Sequence, residues 1–317
     1  MKRIGIIGAG AVTAATVSSL IAPAGIDPEI IIVNRTHKRA VGLAEDFTYA
    51  AAAESRATVR AGSYADLAGA DLVIITAGVN EKDGGATDRN DDEGRRKLIP
   101  ANARAYIDMI GQLSEVDPKA TVLVVTDPPD PLASLARRIA PEMTVLSSGT
   151  TIDSLRFRYW IGRELGVPAS EVDAVVLGEH GTSAVYAWSS ARVGGRRVLD
   201  LLVESGADVV EVQERIRESV KYSNISIIEG IGASQHGIGS VVADIAEAIV
   251  GNSHAIMPVA SYLEEFDTFV GMPTVLGREG VVRILRPELT EEEQALLEES
   301  ARVLREADAV AFDALER

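Results

Sequence analysis

Short apolar runs alternate with helix-spaced segments through the first half of the chain. Ile4 to Ile7, Ile30 to Val33, Leu72 to Thr76, Thr121 to Val125 and Thr144 to Leu146 are brief and almost unbroken by polar residues, the pattern of strands covered on both faces. Their alternation with helical patterns predicts a parallel sheet with right-handed crossovers, whose ligand site lies at the strands' carboxyl ends. Those ends carry Gly8 to Gly10, Asn34-Arg35-Thr36, Ala77-Gly78 opening a Gly/Asp-rich loop, and Asp127-Pro128-Pro129. After about residue 150 the pattern changes. A helix from Asp153, a strand from Val172 to Leu177, and a strand-like pair from Ala184 to Arg192 around Gly194-Gly195 precede long helices from Asp208 to Ser223 and from Gly239 to Val250.

The expected fold is α/β. A Rossmann-type doubly wound parallel sheet over residues 1–148 is followed by a mixed α+β substrate domain over 149–317, with no repeat or flexible linker between them. The apolar strand at the start runs into Gly8-x-Gly10 and then into a helical stretch from Thr13 to Leu20. Free N–H groups and the positive dipole end of that helix suit a phosphate resting on the turn. The usual third glycine is replaced by Thr13, so by itself the turn reads equally as a chain reversal.

Composition narrows the class. At 46% hydrophobic residues, with no apolar run long enough to cross a bilayer, the chain reads as globular, and no membrane partner is expected. Zero cysteines exclude a disulfide framework, and Met1-Lys2-Arg3 leads directly into a strand rather than a signal peptide, so a cytoplasmic location is expected. A formal charge of -16 would repel nucleic acid. The acidic segment from Glu291 to Glu299, with apolar residues at helical spacing, reads as the solvated face of a terminal helix.

Gly178-Glu179-His180-Gly181 offers a histidine held between glycines, and the helical run from Asp153 supplies a carboxylate to orient it and Arg156 to grip an anion. An Asp and an Arg three apart on a helix are by themselves more often a surface ion pair. The order and spacing of several motifs remove that ambiguity. Besides the glycine turn they are Ile75-Thr76-Ala77-Gly78, Val125-Thr126-Asp127-Pro128-Pro129-Asp130, Ser148 through Arg158, Gly178-Glu179-His180-Gly181 with Trp188-Ser189, and Gly271-Met272-Pro273. Over nearly its whole length the chain resembles the L-lactate/malate dehydrogenase family.

The resemblance implies an enzyme that moves a hydride between a nicotinamide cofactor, NAD or NADP, and an L-2-hydroxy or 2-oxo acid. It implies that His180 exchanges the proton of the substrate's C2 oxygen, that Asp153 orients it, and that Arg156 binds the substrate carboxylate. Arg95 matches the arginine that polarises the carbonyl from a lid, with Arg89 a rival because the segment from Asn80 to Gly94 is longer than usual. Ser234 falls where a small hydroxyl residue lines the substrate pocket. Gly8, Gly10, Ala11, Val12, Asn34, Arg35, Thr36, Thr76, Ala77, Gly78, Asn102 and Thr126 are the residues expected around the cofactor; no metal is expected, and a homodimer or homotetramer is.

Two departures bear on specificity. Asp127 stands where the family has asparagine, and would accept rather than donate beside the substrate oxygen unless protonated; steering Arg95 or the nicotinamide, or capping the turn, are its other readings. At the end of the second strand Asn34 stands where an NAD enzyme has an acid, followed by Arg35, Thr36, Lys38 and Arg39. This run looks like the Asn-Arg-Thr turn of NADP-using shikimate dehydrogenases, so NADP is slightly favoured, against the plainer reading that the cations solvate the next helix. Where malate enzymes carry an arginine the chain has Glu81, so a monocarboxylic substrate, lactate-like or larger, is expected over malate. A malate dehydrogenase and a non-catalytic dinucleotide-binding protein are the alternatives. An NAD-dependent glycosidase, which resembles a metal enzyme with a cysteine ligand, is excluded by the lack of cysteine.

Overall fold

The computed structural model of the chain describes residues 2–22, 26–80, 82–84, 86–89 and 94–316. The first half runs β1 (Arg3–Ile7), α1 (Ala11–Leu20), β2 (Glu29–Val33), α2 (His37–Glu54), β3 (Thr58–Ala61), β4 (Leu72–Ile75), α3 (Ile99–Val116), β5 (Thr121–Val124), α4 (Pro129–Ile139) and β6 (Thr144–Ser147). The strands pair in parallel in the order β3-β2-β1-β4-β5-β6, the doubly wound arrangement. β3 escapes a periodicity search because Val59 is its one fully covered residue, as befits a sheet edge.

Unbroken apolar strands are explained by the packing on both faces. Ile4, Ile6, Ile30, Ile32, Leu72 and Ile74 join a core that includes Val17 and Leu20 of α1 and Ala40 and Ala44 of α2. The alternate residues Ile7, Ile31, Val33, Val73 and Ile75 join a second core with Tyr106 and Ile110 of α3 and Leu132 and Leu135 of α4. A period of two thus feeds two buried faces, so no polar position is tolerated between them.

The second half runs α5 (Thr151–Leu165), β7 (Val172–Asp173), β8 (Val176–Leu177), β9 (Val185–Tyr186), β10 (Arg192–Val193), β11 (Arg196–Arg197), α6 (Val198–Glu204), α7 (Val209–Lys221), α8 (Ser223–Ile231), α9 (His236–Gly251), β12 (Ile256–Leu263), β13 (Thr268–Gly277), β14 (Gly280–Ile284) and α10 (Glu291–Phe312). The strand expected from Val172 to Leu177 is two short strands in different sheets, β7 beside β10 and β8 beside β9. The helix expected to Ser223 stops at Lys221, and a separate α8 runs on to Gly232, whose φ of +84° ends it.

A larger difference concerns the sheet. β12, β13 and β14 extend the parallel sheet antiparallel beyond β6, giving nine strands in the order β14-β13-β12-β6-β5-β4-β1-β2-β3. Pro258 and Pro273, which sit opposite each other in the β12–β13 pairing, disguise these strands, since proline argues against a strand interior. Nor is the acidic start of α10 wholly solvated. The Glu293 carboxylate caps the helix through Thr290 N (3.0 Å) and accepts from Ser189 N at 2.9 Å, so it is a buried tie to the Trp188-Ser189 turn. Among the described residues no helix is long and apolar enough to cross a membrane.

Between β6 and α5 the chain turns at Gly149, with φ +50°. A Cβ there would lie 2.4 Å from the Ala260 nitrogen and 2.8 Å from the Val259 carbonyl carbon of β12, a backbone contact that no side-chain rotation relieves. Gly149→Ala is therefore expected to destabilise the fold by about 2–4 kcal/mol, read as a lower urea midpoint at constant slope; an unchanged midpoint would show that β12 can retreat freely.

Candidate active site

Asp153 and Arg156 lie one turn apart at the start of α5. Phe157, fully buried, sets the helix's rotation by packing edge-on against Trp188 (4.7 Å between centroids) and Tyr186 (5.3 Å). With that face fixed, the Asp153 carboxylate is turned to His180, whose Nδ1 lies 2.5 Å from Oδ2, and the Arg156 guanidinium sits 3.7 Å from the other oxygen. Burial pushes the Asp153 carboxyl up, but the His180 charge and hydrogen bond, with Arg156 and Arg95, more than offset it and hold the group below the ordinary carboxylate range.

His180 is carried by a loop fixed at three points. Gly178 exchanges both backbone hydrogen bonds with Gly271 of β13, at 3.0 and 2.9 Å. Glu179 N donates to Ser300 Oγ of α10 (2.9 Å), and His180 N donates to Asp130 Oδ2 of α4 (2.9 Å). Gly178 has φ +80° and its missing Cβ would strike Ser300 Oγ, so glycine is required there. Glu179 turns inward and accepts from Ser183 N and Oγ.

With Nδ1 engaged by Asp153, Nε2 faces the cleft. The Arg95 guanidinium donates to it, and the Asp127 carboxylate lies 3.7 Å from Nε2 and 3.8 Å from Arg95 Nη1. Asp127 therefore sits within reach of both Arg95 and His180. Arg89 goes elsewhere: it bonds Ser226 and Glu229 of α8 at 3.0 Å and lies near the Tyr222 ring. Of the two arginines proposed for the lid, Arg95 is the one at the histidine. Glu81 lies outside the described residues.

A cavity of about 110 Å³ opens between the strand ends and this cluster, bordered by Val12, Thr76, Gly78, Thr126, Asp127, Arg156, His180 and Ser234. A second chamber of about 90 Å³ adjoins it on the side of Arg89, Arg96 and Tyr222. Asn224 of α8 lines both and was not among the expected residues, because it lies just past the helix expected to end at Ser223.

The strand ends fit a dinucleotide. Gly8 has φ +130°, and a Cβ there would lie 2.4 Å from Thr76 Oγ1, whereas one at Gly10 would meet nothing within 4 Å. The backbone is thus tight behind the turn and open in front of it, where α1 presents uncapped N–H groups at Ala11 and Val12. Thr13, in the place of the third glycine, hydrogen-bonds Thr76 (2.7 Å). Thr126 Oγ1 donates to Ala77 O (2.9 Å), tying β4 and β5 beneath Gly78. Asn34 donates to Thr36 O at 3.1 Å, Arg35 and Thr36 are exposed, and Arg39 Nε holds Ala9 O at 2.8 Å. Asn102 is the exception. It is fully buried, and its amide is engaged by the backbones of Val79 and Asp127, so it braces the strand ends of the cleft.

Residues 2–146 match the lactate/malate dehydrogenase NAD binding domain, and residues 150–313 the lactate/malate dehydrogenase alpha/beta C-terminal domain. The chain belongs to the lactate/malate dehydrogenase family. Within it, an L-lactate dehydrogenase of Chloroherpeton thalassium is 39% identical over 308 residues, covering 96% of this chain and 98% of the relative. One from Deinococcus radiodurans is 37% identical over 304 residues, covering 96% and 97%. Among solved structures, a minor L-lactate dehydrogenase from Enterococcus mundtii in a ligands-bound form superposes with a TM-score of 0.88 at 27% identity, covering 97% of this chain and 98% of its own.

Asp130, the last residue of the Val125–Asp130 motif and the lone carboxylate in the otherwise apolar and small-residue start of α4, has a role that the motif alone does not disclose. It is 1% exposed and accepts from Ser147 Oγ (2.5 Å) as well as from His180 N. Burial raises its pKa to about 6 against those two hydrogen bonds. The folded protein thus holds this proton more tightly than the unfolded chain, at 3.8, and stability drawn from the group is lost as pH rises through about 6. Asp130→Ala strands two buried donors. It is expected to cost about 2–4 kcal/mol near pH 5 and less near pH 8, measured by urea denaturation; a deficit that grows with pH would contradict this account.

Proposed function

We propose that the chain is a nicotinamide-dependent dehydrogenase interconverting an L-2-hydroxy acid and its 2-oxo acid, with residues 1–148 holding the dinucleotide and 149–317 completing the substrate site. The observation that carries this reading is His180 held between Asp153 and Arg95, with Arg156 alongside, at the mouth of the cleft headed by Gly8 to Gly10. The bound nicotinamide would supply or take up the hydride at C2.

Arg156 pairs with the substrate carboxylate through its planar fork, which lysine cannot reproduce. The C2 oxygen enters between Arg95 and His180 Nε2, displacing their mutual contact. Arg95 then stabilises negative charge developing on that oxygen, while Nε2 delivers or removes its proton. The Asp153 carboxylate keeps the ring oriented and compensates the charge when both nitrogens are protonated. Asp127 holds Arg95 at the histidine, and Ser234 and Asn224 line the wall against the substrate's remaining atoms. A non-catalytic binding protein would have no use for this arrangement.

The substrate is a monocarboxylic acid, lactate-like or larger. Its named relatives are L-lactate dehydrogenases, and Arg156 is the cation of the first cavity that neither contacts His180 nor sits in the lid segment. We place the enzyme in the cytoplasm as a homodimer or homotetramer. A panel of 2-oxo acids tests the assignment: pyruvate or a branched analogue should give a higher kcat/KM than oxaloacetate, and the reverse order would overturn it. Arg156→Lys should lower kcat/KM by at least about 30-fold, given ~2–5 kcal/mol for a truncated buried charge pair, with the loss appearing mainly in KM; a loss below threefold would remove Arg156 from the role.

On the cofactor we propose that NADP(H) serves at least as well as NAD(H). The support is the absence of a carboxylate at the end of β2, where Asn34 stands, together with exposed Arg35 and Thr36 and with Arg39 drawn against the glycine turn. Arg35 is the principal contact for a 2'-phosphate. Rates with both cofactors should show Arg35→Ala losing about tenfold or more with NADPH and little with NADH; a wild type tenfold better with NADH and indifferent to the substitution would refute it.

A further inference from the structure

Away from the catalytic cleft, a cavity of about 360 Å³ lies between α4, α10 and the β12–β13 hairpin. In a chain of formal charge -16 it gathers three arginines, Arg137, Arg138 and Arg305. Two are stacked on aromatic walls, Arg137 over Tyr262 at 3.9 Å and Arg138 over Phe312 at 4.5 Å. Stacking occupies a guanidinium's face and leaves its in-plane N–H donors available. Arg305 is held by Phe266 O (2.8 Å), so all three are restrained before any ligand arrives, which lowers the entropic cost of binding.

Arg137 and Arg138 also complement the carboxyl end of α4, and that role would explain them alone. It does not explain the cavity's buried polar atoms. Ser134 and Asp308, 6% and 4% exposed, both line it, and neither Ser134 Oγ nor Asp308 Oδ1 makes a hydrogen bond of good geometry, although the hydroxyl is near enough to the carboxyl to lower its pKa. Asp308 Oδ2 is satisfied by Thr268 Oγ1 at 2.7 Å. A buried hydroxyl and carboxyl oxygen with at best a weak contact between them are costly unless something else satisfies them.

We propose that this cavity binds a small multivalent oxyanion, phosphorylated or polycarboxylate, through Arg137, Arg138 and Arg305, with Ser134 and the protonated Asp308 donating to it. This goes beyond the dehydrogenase reading and does not depend on it. An oxyanion brings several acceptors to one point, which matches three guanidiniums and two hydroxyl donors. Asp308 can donate only when protonated. Burial raises its pKa to about 7, with Thr268 and Ser134 opposing and Asp130 and Asp267 adding to the rise. The three arginines, Asp267 and Tyr262 line the same cavity, and the Tyr262 hydroxyl donates to Asp267 (2.6 Å). A bound anion further favours the protonated carboxyl, so binding takes up a proton and weakens as pH rises through about 7.

The test is calorimetric titration of the full-length protein, saturated with nicotinamide cofactor so that the glycine turn is filled. The probes are sulfate, which does not titrate in this range, and citrate. One-to-one saturable binding is expected, about tenfold tighter at pH 6 than at pH 8, and reduced at least about tenfold by Arg305→Glu, an exposed position that should leave the melting temperature unchanged. Asp308→Asn should keep binding and abolish its pH dependence. Tighter sulfate would mark a phosphoryl-type ligand, and tighter citrate a polycarboxylate. Absence of saturable binding of either anion, or binding indifferent to Arg305→Glu, would overturn the proposal.

Discussion

One backbone hydrogen bond, from His180 N to the buried carboxyl of Asp130, decides where the reactive imidazole can be. It ties a loop of the second half to the first turn of a helix in the first. The side chain of the same residue is tied to Asp153 on α5, so main chain and ring are held from two directions and the ring has little room to turn. A site whose chemistry needs placement to a fraction of an ångström is best built on such rigid elements with braced supports. Here the braces come from α4, α10 and β13, none of which contributes a reactive group.

That placement brings five ionisable groups together in a largely buried space, and the arrangement survives because acidic side chains alternate with basic ones. Asp153 lies between His180 and Arg156, and Asp127 between His180 and Arg95. Removing Asp153 would leave Arg156 without its nearest carboxylate in a medium that screens poorly. The second carboxylate at Asp127 distinguishes this site from one with a neutral amide there: it offsets Arg95 before substrate arrives and adds repulsion toward an anion once it has.

Much of this could be read from the chain. The two-faced strands announce themselves through periodicity, and His180, Asp153, Arg156 and Arg95 through the spacing of motifs, because both signals are local. What stayed hidden depends on contacts distant in sequence. Asp130 is an ordinary helix-start residue until a loop fifty positions on donates to it. Asn224 gains its place only because the chain breaks at Tyr222 and starts a new helix. Arg89 and Arg95 are indistinguishable as letters, and their separation reflects which partner each can reach, Glu229 or His180. Asn102, polar and near the strand ends, looks like a ligand contact, and its letter does not disclose that its amide is engaged by neighbouring backbone.

The sheet's continuity has a consequence for how the molecule comes into being. β6 ends the parallel portion, and the strand that covers its outer edge, β12, begins only at Ile256. A nascent chain that has completed its first six strands therefore shows an unpaired apolar strand edge to its surroundings until β12 has been made. Such an edge is a template for pairing with another chain. The first six strands are thus not sheltered by themselves, and the outer edge of β6 depends on a strand made much later in the chain.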